Sequence, residues 1–343
     1  MKKLLGVLCE KFYKVSKRLV FILTRFFNFH IIRTIDFVVT YRCNSRCKMC
    51  DIWRVDGKKF KDIPLIKLKQ ILSNKILRNA GTIAITGGEP FIRQDLYKIC
   101  NLIKEKFPSK KIILSTNGLL EKGIINSLEK VTDKSNITLI LSLDSIKKND
   151  RLKGIKGSSE KIMNTIRMIK FKFPKIKVFM KFTINPWNYD EILDIYELSK
   201  KENVGFLIKS IENLKDYITV LNYKKNKRRF LFKDYQKKII LKQLKRLRYD
   251  QLKRLKFKHS VFTNELITYF SKKNYTLSNC TIPYYSVFII QNGDVYLCRR
   301  FKPIGNIYTN ELNEIWNSET AKKIRNSKCN SCVSHYGYYN GLI

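Results

Sequence analysis

Cys43, Cys47 and Cys50 fall within the run CNSRCKMC, with three and then two residues between them. The run follows residues 35–40, IDFVVT, whose β-branched and aromatic character predicts a strand leaving a core. Three soft, ionisable ligands so close together suit a metal. An iron–sulfur cluster is the natural candidate where a strand end gives a rigid base and a loop gives curvature. The run holds no fourth ligand, so a four-iron cluster there would leave one iron open to outside chemistry, as a catalytic zinc site keeps an open position. Two alternatives stay open on spacing alone. A disulfide would suit a secreted chain, but no cleavable signal sequence is read and one of three thiols would be odd. A three-thiol zinc site could be completed by His30, although nothing in the spacing requires it.

The chain has 9 cysteines, and four of them form a late group, Cys280, Cys298, Cys329 and Cys332. Two groups suggest two metal centres. Cys9 and Cys100 sit in apolar helical patterns and read as buried, inert thiols. The late group is threaded on a predicted hairpin over residues 286–297, with Asn292-Gly293-Asp294 at its turn, and on a short helix near Leu312 and Trp316. Cys329 and Cys332 close the group with a two-residue gap. Four thiols with one pair on a tight turn can enclose zinc or a four-iron cluster, and the residues do not choose.

The elements that must position these groups alternate. Strands are predicted over residues 35–40, 82–86, 111–116, 137–143, 175–184 and 204–211, and helices over 64–78, 95–106, 121–129, 158–173 and 189–200. Ser158 is the expected cap of the fourth helix, with Glu160 in its first turn. Regular alternation with short connections implies parallel strands, right-handed crossovers and an α/β fold. Ligands of such sheets bind beyond the C-terminal strand ends. The polar candidates fall there: the cysteine run after the first strand, Gly87, Gly88 and Glu89 with Pro90 after the second, Ser115 and Asn117 at the third, and Ser142 and Asp144 at the fourth. Lys181 lies along the fifth. Asp51 and Trp53 follow the cysteine run closely, and Trp53 either seals the site from water or caps the core.

Outside this alternation the chain is strongly basic. It has 343 residues, 69 Lys and Arg against 28 Asp and Glu, and a formal net charge of +41. Such a field favours polyanions, anionic membranes or an acidic substrate, unless it is compositional drift, and says nothing of the fold. Residues 4–29 place Leu4, Leu8, Phe12, Val15, Leu19, Ile22 and Phe26 at helical intervals among lysines and arginines. They predict an amphipathic helix too short in its apolar run to span a bilayer, packed on a neighbour or lying on an anionic membrane surface. Residues 224–258 are dense in Lys and Arg against Asp234 and Asp250 alone, with Leu241, Leu244, Leu247, Leu252 and Leu255 as an incomplete stripe. One long basic helix is expected there, followed by an apolar linker. Phe230, Phe232, Tyr235, Tyr249 and Phe257 interleave with the charge as nucleic-acid stacking would need, but a solvated basic face is favoured.

Taken together, CxxxCxxC after a first strand, GGEP at residues 87–90, STN at 115–117 and SLD at 142–144 resemble the radical S-adenosylmethionine (SAM) superfamily over roughly residues 35–211. The spacing of Cys280, Gly293 and Cys298, the GNI segment at 305–307 and the final CxxC resemble the auxiliary-cluster domain called SPASM, in its truncated or twitch form. The resemblance implies a partial (β/α)6 TIM-like barrel with an N-terminal amphipathic helix and a small C-terminal hairpin and helix domain. The expected divisions are residues 1–33, 34–215, 216–278 and 279–343. It implies a catalytic [4Fe-4S] cluster on Cys43, Cys47 and Cys50 that binds SAM, and one auxiliary [4Fe-4S] cluster on Cys280, Cys298, Cys329 and Cys332, with His335 nearby as a weaker ligand candidate.

In the family's pattern Gly87, Gly88 and Glu89 meet the methionyl amino group of SAM, and Ser115, Asn117, Ser142 and Asp144 its ribose and carboxylate. Lys181 could pair with that carboxylate. Met49 stands where the family usually has an aromatic residue against the adenine, and its thioether can still pack on a ring. The implied activity is reductive cleavage of SAM to a 5′-deoxyadenosyl radical that abstracts hydrogen from substrate, while the protein binds, orients and excludes side reactions. The expected substrate is a small anionic molecule, with a ribosomal peptide, lipid or tRNA as alternatives. Flavodoxin or ferredoxin is the expected electron donor. Cluster-ligating thiolates argue for a reducing cytoplasm, with a peripheral position at the inner face of the membrane open to the basic helix. No acid, base or radical-quenching residue is nominated.

Overall fold

The computed structural model describes residues 2–27, 30–55, 61–211, 230–272, 280–298 and 301–327. Helix α1 (Lys2–Phe26) leads into β1 (Thr34–Thr40), which is buried along its whole length, as a strand covered on both faces must be. After it come α2 (Leu65–Leu72), β2 (Thr82–Gly87), α3 (Leu96–Lys106), β3 (Lys111–Thr116), α4 (Glu121–Glu129) and β4 (Ile137–Ser142). Then follow α5 (Asn149–Lys153), α6 (Ser158–Lys172), β5 (Lys177–Ile184), α7 (Ile192–Lys201) and β6 (Gly205–Ser210). β1 to β6 pair in sequence order, all in parallel. This is the partial TIM-like barrel that the alternation implies.

Strand parity sorts the side chains. Ile112, Leu114, Leu139, Leu141, Met180 and Phe182 join the main core under the helices, whereas Ala84, Ile113, Ile140 and Leu207, with Phe179, form a small cluster on the other, inner face. The period of two therefore sets Ser115, Ser142 and Lys181 on that inner face as well.

Several boundaries differ from expectation. The helix expected over 64–78 stops at Leu72, and Asn74 caps a separate tight turn by accepting from the Ile76 amide at 3.1 Å. Ser73 and Asn74 compete for backbone groups and favour such breaks. Ser158 is the first helical residue and not the cap. Gly157 occupies the cap position at φ 70°, and the Ser158 hydroxyl donates to Asp150 Oδ1 at 2.8 Å. Helix α5 has no counterpart in the sequence reading, because five residues show no periodicity.

The basic stretch also departs from expectation. In place of one long helix and a linker, α8 (Asp234–Lys253) and α9 (Phe257–Ser271) meet at Leu255, which takes a left-handed φ of 56°. Ile240, Leu244, Leu247, Phe262, Leu266 and Phe270 enter the main core, so this pair shares the barrel's hydrophobic interior.

The C-terminal part contributes α10 (Ile282–Tyr285), β7 (Ser286–Ile289), β8 (Asp294–Tyr296), β9 (Gly305–Asn306), α11 (Leu312–Asn317) and α12 (Glu319–Asn326). The expected hairpin is present as β7 and β8. Gly293 has φ 89° at its turn, where a Cβ would lie 2.3 Å from the Tyr308 ring, a place only glycine fits. β7 pairs in parallel with β1, so the described strands make one sheet in the order β6-β5-β4-β3-β2-β1-β7-β8-β9.

Because Leu244 is fully buried in the common core, Leu244→Ala should cost about 2–5 kcal/mol and shift the unfolding of the whole chain in urea. A transition that left the barrel signal unmoved would show that α8 is not part of that core.

Candidate metal centre

The three early thiols ride on the loop that leaves β1, and each is half-buried and free of any disulfide. The loop is held along its length. Ser45 is buried; its amide lies 3.5 Å from Cys43 Sγ, and its hydroxyl donates to the Lys153 carbonyl at 2.9 Å and stands 3.0 Å from Cys47 Sγ. The Arg46 amide donates to the same Lys153 carbonyl and the Lys48 amide to that of Leu152, both at 2.9 Å. Trp53 donates from its indole to the Cys47 carbonyl at 3.2 Å, with the Arg46 and Arg54 guanidiniums over its ring. It therefore fastens the loop from outside. Asp51 pairs with Arg54 at 3.1 Å and leaves Oδ2, next to Cys50, buried without a partner among the described residues.

The donor set fits an iron–sulfur cluster. Burial pushes the Cys43 thiol up to about 11 and Cys50 to about 12, and the charges of neighbouring thiols add to the rise. Iron would relieve that mutual repulsion by taking the thiolates as ligands. Among the described residues no group of three or more His, Cys, Asp or Glu side chains is gathered as a single metal ion would require.

The second strand end closes on this loop. Gly87 and Gly88 lie against the loop backbone, where a Cβ would meet the carbonyl oxygens of Thr40 at 2.3 Å and Arg42 at 2.2 Å. Their near-contact partner is therefore protein backbone. Glu89 is fully buried and accepts from the Phe91 amide at 3.1 Å, the Thr116 hydroxyl at 2.8 Å and the Asn117 amide at 2.6 Å. Burial raises its carboxyl to about 7 against the pull of those bonds and of Lys153. Asn117 extends from there to Asn44 Oδ1 at 2.7 Å, with Cys43 Sγ at 3.9 Å.

At the fourth strand Asp144 is buried, accepting from the Thr183 amide at 3.0 Å and the Lys153 ammonium at 2.7 Å. Burial alone would lower the Lys153 pKa. Asp144 and then the Cys47 charge raise it by more. Ser142 stands in register with Lys181, both half-buried on the inner face, and Ser115 lies half-buried on β3. Met49 brings its sulfur 3.9 Å from the Asn185 side chain. The structure thus joins Cys43, Cys47, Glu89, Asn117 and Asp144 through one hydrogen-bonded network, and sets Ser115, Ser142 and Lys181 on the adjoining barrel face.

Lys153 was missed by the sequence reading, together with Ser45, Asn44 and Thr116. Its one sequence signal is a lysine directly before Gly154 in a non-periodic stretch soon after Asp144. Cys280 and Cys298 are half-buried; Cys329, Cys332 and His335 lie outside the described residues. Cys100 is buried, and burial pushes its thiol to about 12, as an inert core cysteine should be.

Residues 37–199 match the family model of the Radical SAM superfamily. Residues 280–333 match SPASM, an iron-sulfur cluster-binding domain, which makes the architecture a radical SAM domain with a C-terminal auxiliary domain. The chain is 27% identical over 169 residues to Fe-coproporphyrin III synthase of Methanosarcina barkeri, covering 48% of this chain and 40% of that protein. It is 31% identical over 185 residues to GTP 3′,8-cyclase of Helicobacter pylori, covering 50% and 54%. It therefore spans about half the length of the curated relatives it matches. Among solved structures, Streptococcus suis SuiB bound to precursor peptide SuiA shares the fold at a TM-score of 0.65 and 15% identity, over 89% of this chain and 69% of that one.

Two outcomes are expected from this geometry. Lys153→Met leaves the Asp144 carboxylate buried and unpaired, and should cost about 3–5 kcal/mol in urea unfolding, with much of the loss recovered by adding Asp144→Asn. Glu89 holds its proton more tightly when folded than its ordinary 4.5, so the unfolded chain binds fewer protons between about 4.5 and 7, and this residue's contribution to stability falls as pH rises through that window. The stability of Glu89→Gln relative to the parent should accordingly climb from pH 4.5 to 7; a flat or falling difference would contradict the raised pKa.

Proposed function

We propose that the protein holds a [4Fe-4S] cluster on Cys43, Cys47 and Cys50, binds SAM at the adjoining strand ends, and abstracts hydrogen from a small anionic substrate. The observation that carries this reading is the meeting of the three-thiol loop with Glu89, Asn117 and Asp144 in one buried network at the C-terminal ends of β1 to β4. When bound, the cluster and SAM supply an electron and a 5′-deoxyadenosyl radical. The chain's own task is to bind, orient and keep water out.

In this reading Gly87, Gly88 and Glu89 receive the methionyl amino group, Glu89 with its carboxylate already aimed by Thr116 and Asn117. Ser115, Asn117, Ser142 and Asp144 serve the ribose and carboxylate, Lys181 the carboxylate, and Met49 the adenine. Lys153 keeps the Asp144 carboxylate in place. Cys280, Cys298, Cys329 and Cys332 hold the one auxiliary [4Fe-4S] cluster. Flavodoxin or ferredoxin supplies electrons, and the enzyme works in the cytoplasm at the inner face of the membrane.

An anionic substrate is supported by the net charge of +41 and by a relative named for GTP, a polyanion. Peptide modification is the competing reading, because the solved neighbour SuiB is bound to a precursor peptide. The described residues before β1 form one helix and no strand with which a peptide could pair. Lipid and tRNA are further alternatives.

Anaerobically reconstituted protein given SAM and dithionite should release 5′-deoxyadenosine, and Cys47→Ala should abolish it. Absence of product from protein whose four-iron absorbance is intact would sink the reading. Adding a pool of anionic metabolites should raise the yield and give a mass-shifted product, whereas a response only to peptides would transfer the case to peptide modification.

A further inference from the structure

Helix α1 turns its apolar stripe to solvent. Leu8, Phe12, Val15, Leu19, Ile22 and Phe26 recur at three- and four-residue steps and are exposed from 51% at Ile22 to 81% at Phe26. An amphipathic helix on a folded body ordinarily does the reverse.

The opposite face holds it in place. Gly6 passes so close to α8 that a Cβ there would meet the Leu252 carbonyl oxygen at 2.7 Å. Glu10 is buried and accepts from the Arg248 guanidinium at 2.9 Å and the Ser260 hydroxyl at 2.6 Å. The Thr24 hydroxyl bonds that of Tyr285 on α10. Small and polar residues thus fix the helix to α8, α9 and α10, and this attachment is what aims the stripe outward. A continuous exposed apolar face of this kind marks a surface for docking.

Charge selects the occupant. Exposed Lys11 neighbours the stripe, and Lys14, Arg18 and Arg25 follow it in sequence at the three-, four- and seven-residue steps of a single helix edge. The helix has one acidic residue, Glu10, and that one is turned inward. No helix among the described residues is long and apolar enough to cross a membrane. We propose that α1 lies in the interfacial plane of an anionic bilayer, with its leucines and phenylalanines among the acyl chains and its cations at the headgroups. The proposal deepens the peripheral location given above and is independent of the radical chemistry.

Flotation of the full chain with vesicles tests it. Binding is expected to vesicles containing about one-third phosphatidylglycerol and to be much weaker with phosphatidylcholine alone. Phe12→Glu combined with Leu19→Glu should reduce binding about tenfold or more, and Lys11→Glu or added salt should weaken it further. Because these side chains are exposed, circular dichroism and 5′-deoxyadenosine release by the reconstituted variants should match the parent. No binding to anionic vesicles would overturn the proposal, as would binding indifferent to the double substitution. So would light scattering that shows a dimer dissociated by that substitution while vesicles bind neither protein, since the stripe would then belong to a second copy of the chain. 5′-Deoxyadenosine release without vesicle binding would remove the docking alone, and vesicle binding without that product would remove the chemistry alone.

Discussion

The ion pair between Lys153 and Asp144 is the contact on which the site's geometry depends. Both side chains are buried, and a charge in that position is tolerated only beside its opposite. The pair fixes α5 against the end of β4. Once α5 is fixed, the carbonyls of Leu152 and Lys153, which the end of a helix leaves without partners, accept from Lys48, Arg46 and Ser45. The thiol loop is thereby shaped by a helix terminus some hundred residues away in sequence.

Other surfaces complete the grip. Gly87 and Gly88 lay the end of β2 on the Thr40 and Arg42 carbonyls, closer than any side chain would permit. Phe288, Ile290 and Tyr296 from the C-terminal hairpin pack with Val38, Tyr41 and Ile52, and the half-buried Cys43 and Cys50 lie against that cluster. The hairpin adds strands to the barrel's sheet beside β1 and covers the loop from the side opposite β2. The packing of the first thiol group and the placement of the hairpin that carries Cys298 are parts of the same apolar cluster.

Much of this was legible in the sequence because it rests on local signals. Alternating strands and helices announced the barrel, Asn292-Gly293 announced the hairpin, and the CxxxCxxC run announced the thiol loop. What was not legible depends on partners distant in the chain. Five-residue α5 has no period to read, and Lys153 looks like one of many lysines until Asp144 is set beside it. The break at Leu255 and the burial of α9 follow from packing on the barrel, which propensity alone does not foresee. Gly87 and Gly88 were expected at a ligand; that they also lie against the Thr40 and Arg42 carbonyls became apparent only with β1 and β2 side by side. The apolar stripe of α1 was equally plain, but its direction is set by Gly6 and Glu10, residues that a hydrophobic pattern passes over.

The same contacts shape the electrostatics. Asp144 and Lys153 cancel one another, Glu89 is raised toward neutrality by burial, and Cys43 and Cys50 keep their protons well above neutral pH. The buried network therefore carries little net charge of its own, although the molecule around it is strongly cationic. Negative charge enters this region when thiols give up protons to a metal. Lys153, whose ammonium feels both Asp144 and the thiolates of Cys47 and Cys43, is the fixed cation beside that change. Its dual position explains why one lysine, rather than a neutral residue of like size, joins the loop to the strand end: a neutral substitute could fill the space, but would leave both Asp144 and the thiolates uncompensated in a medium that screens them poorly.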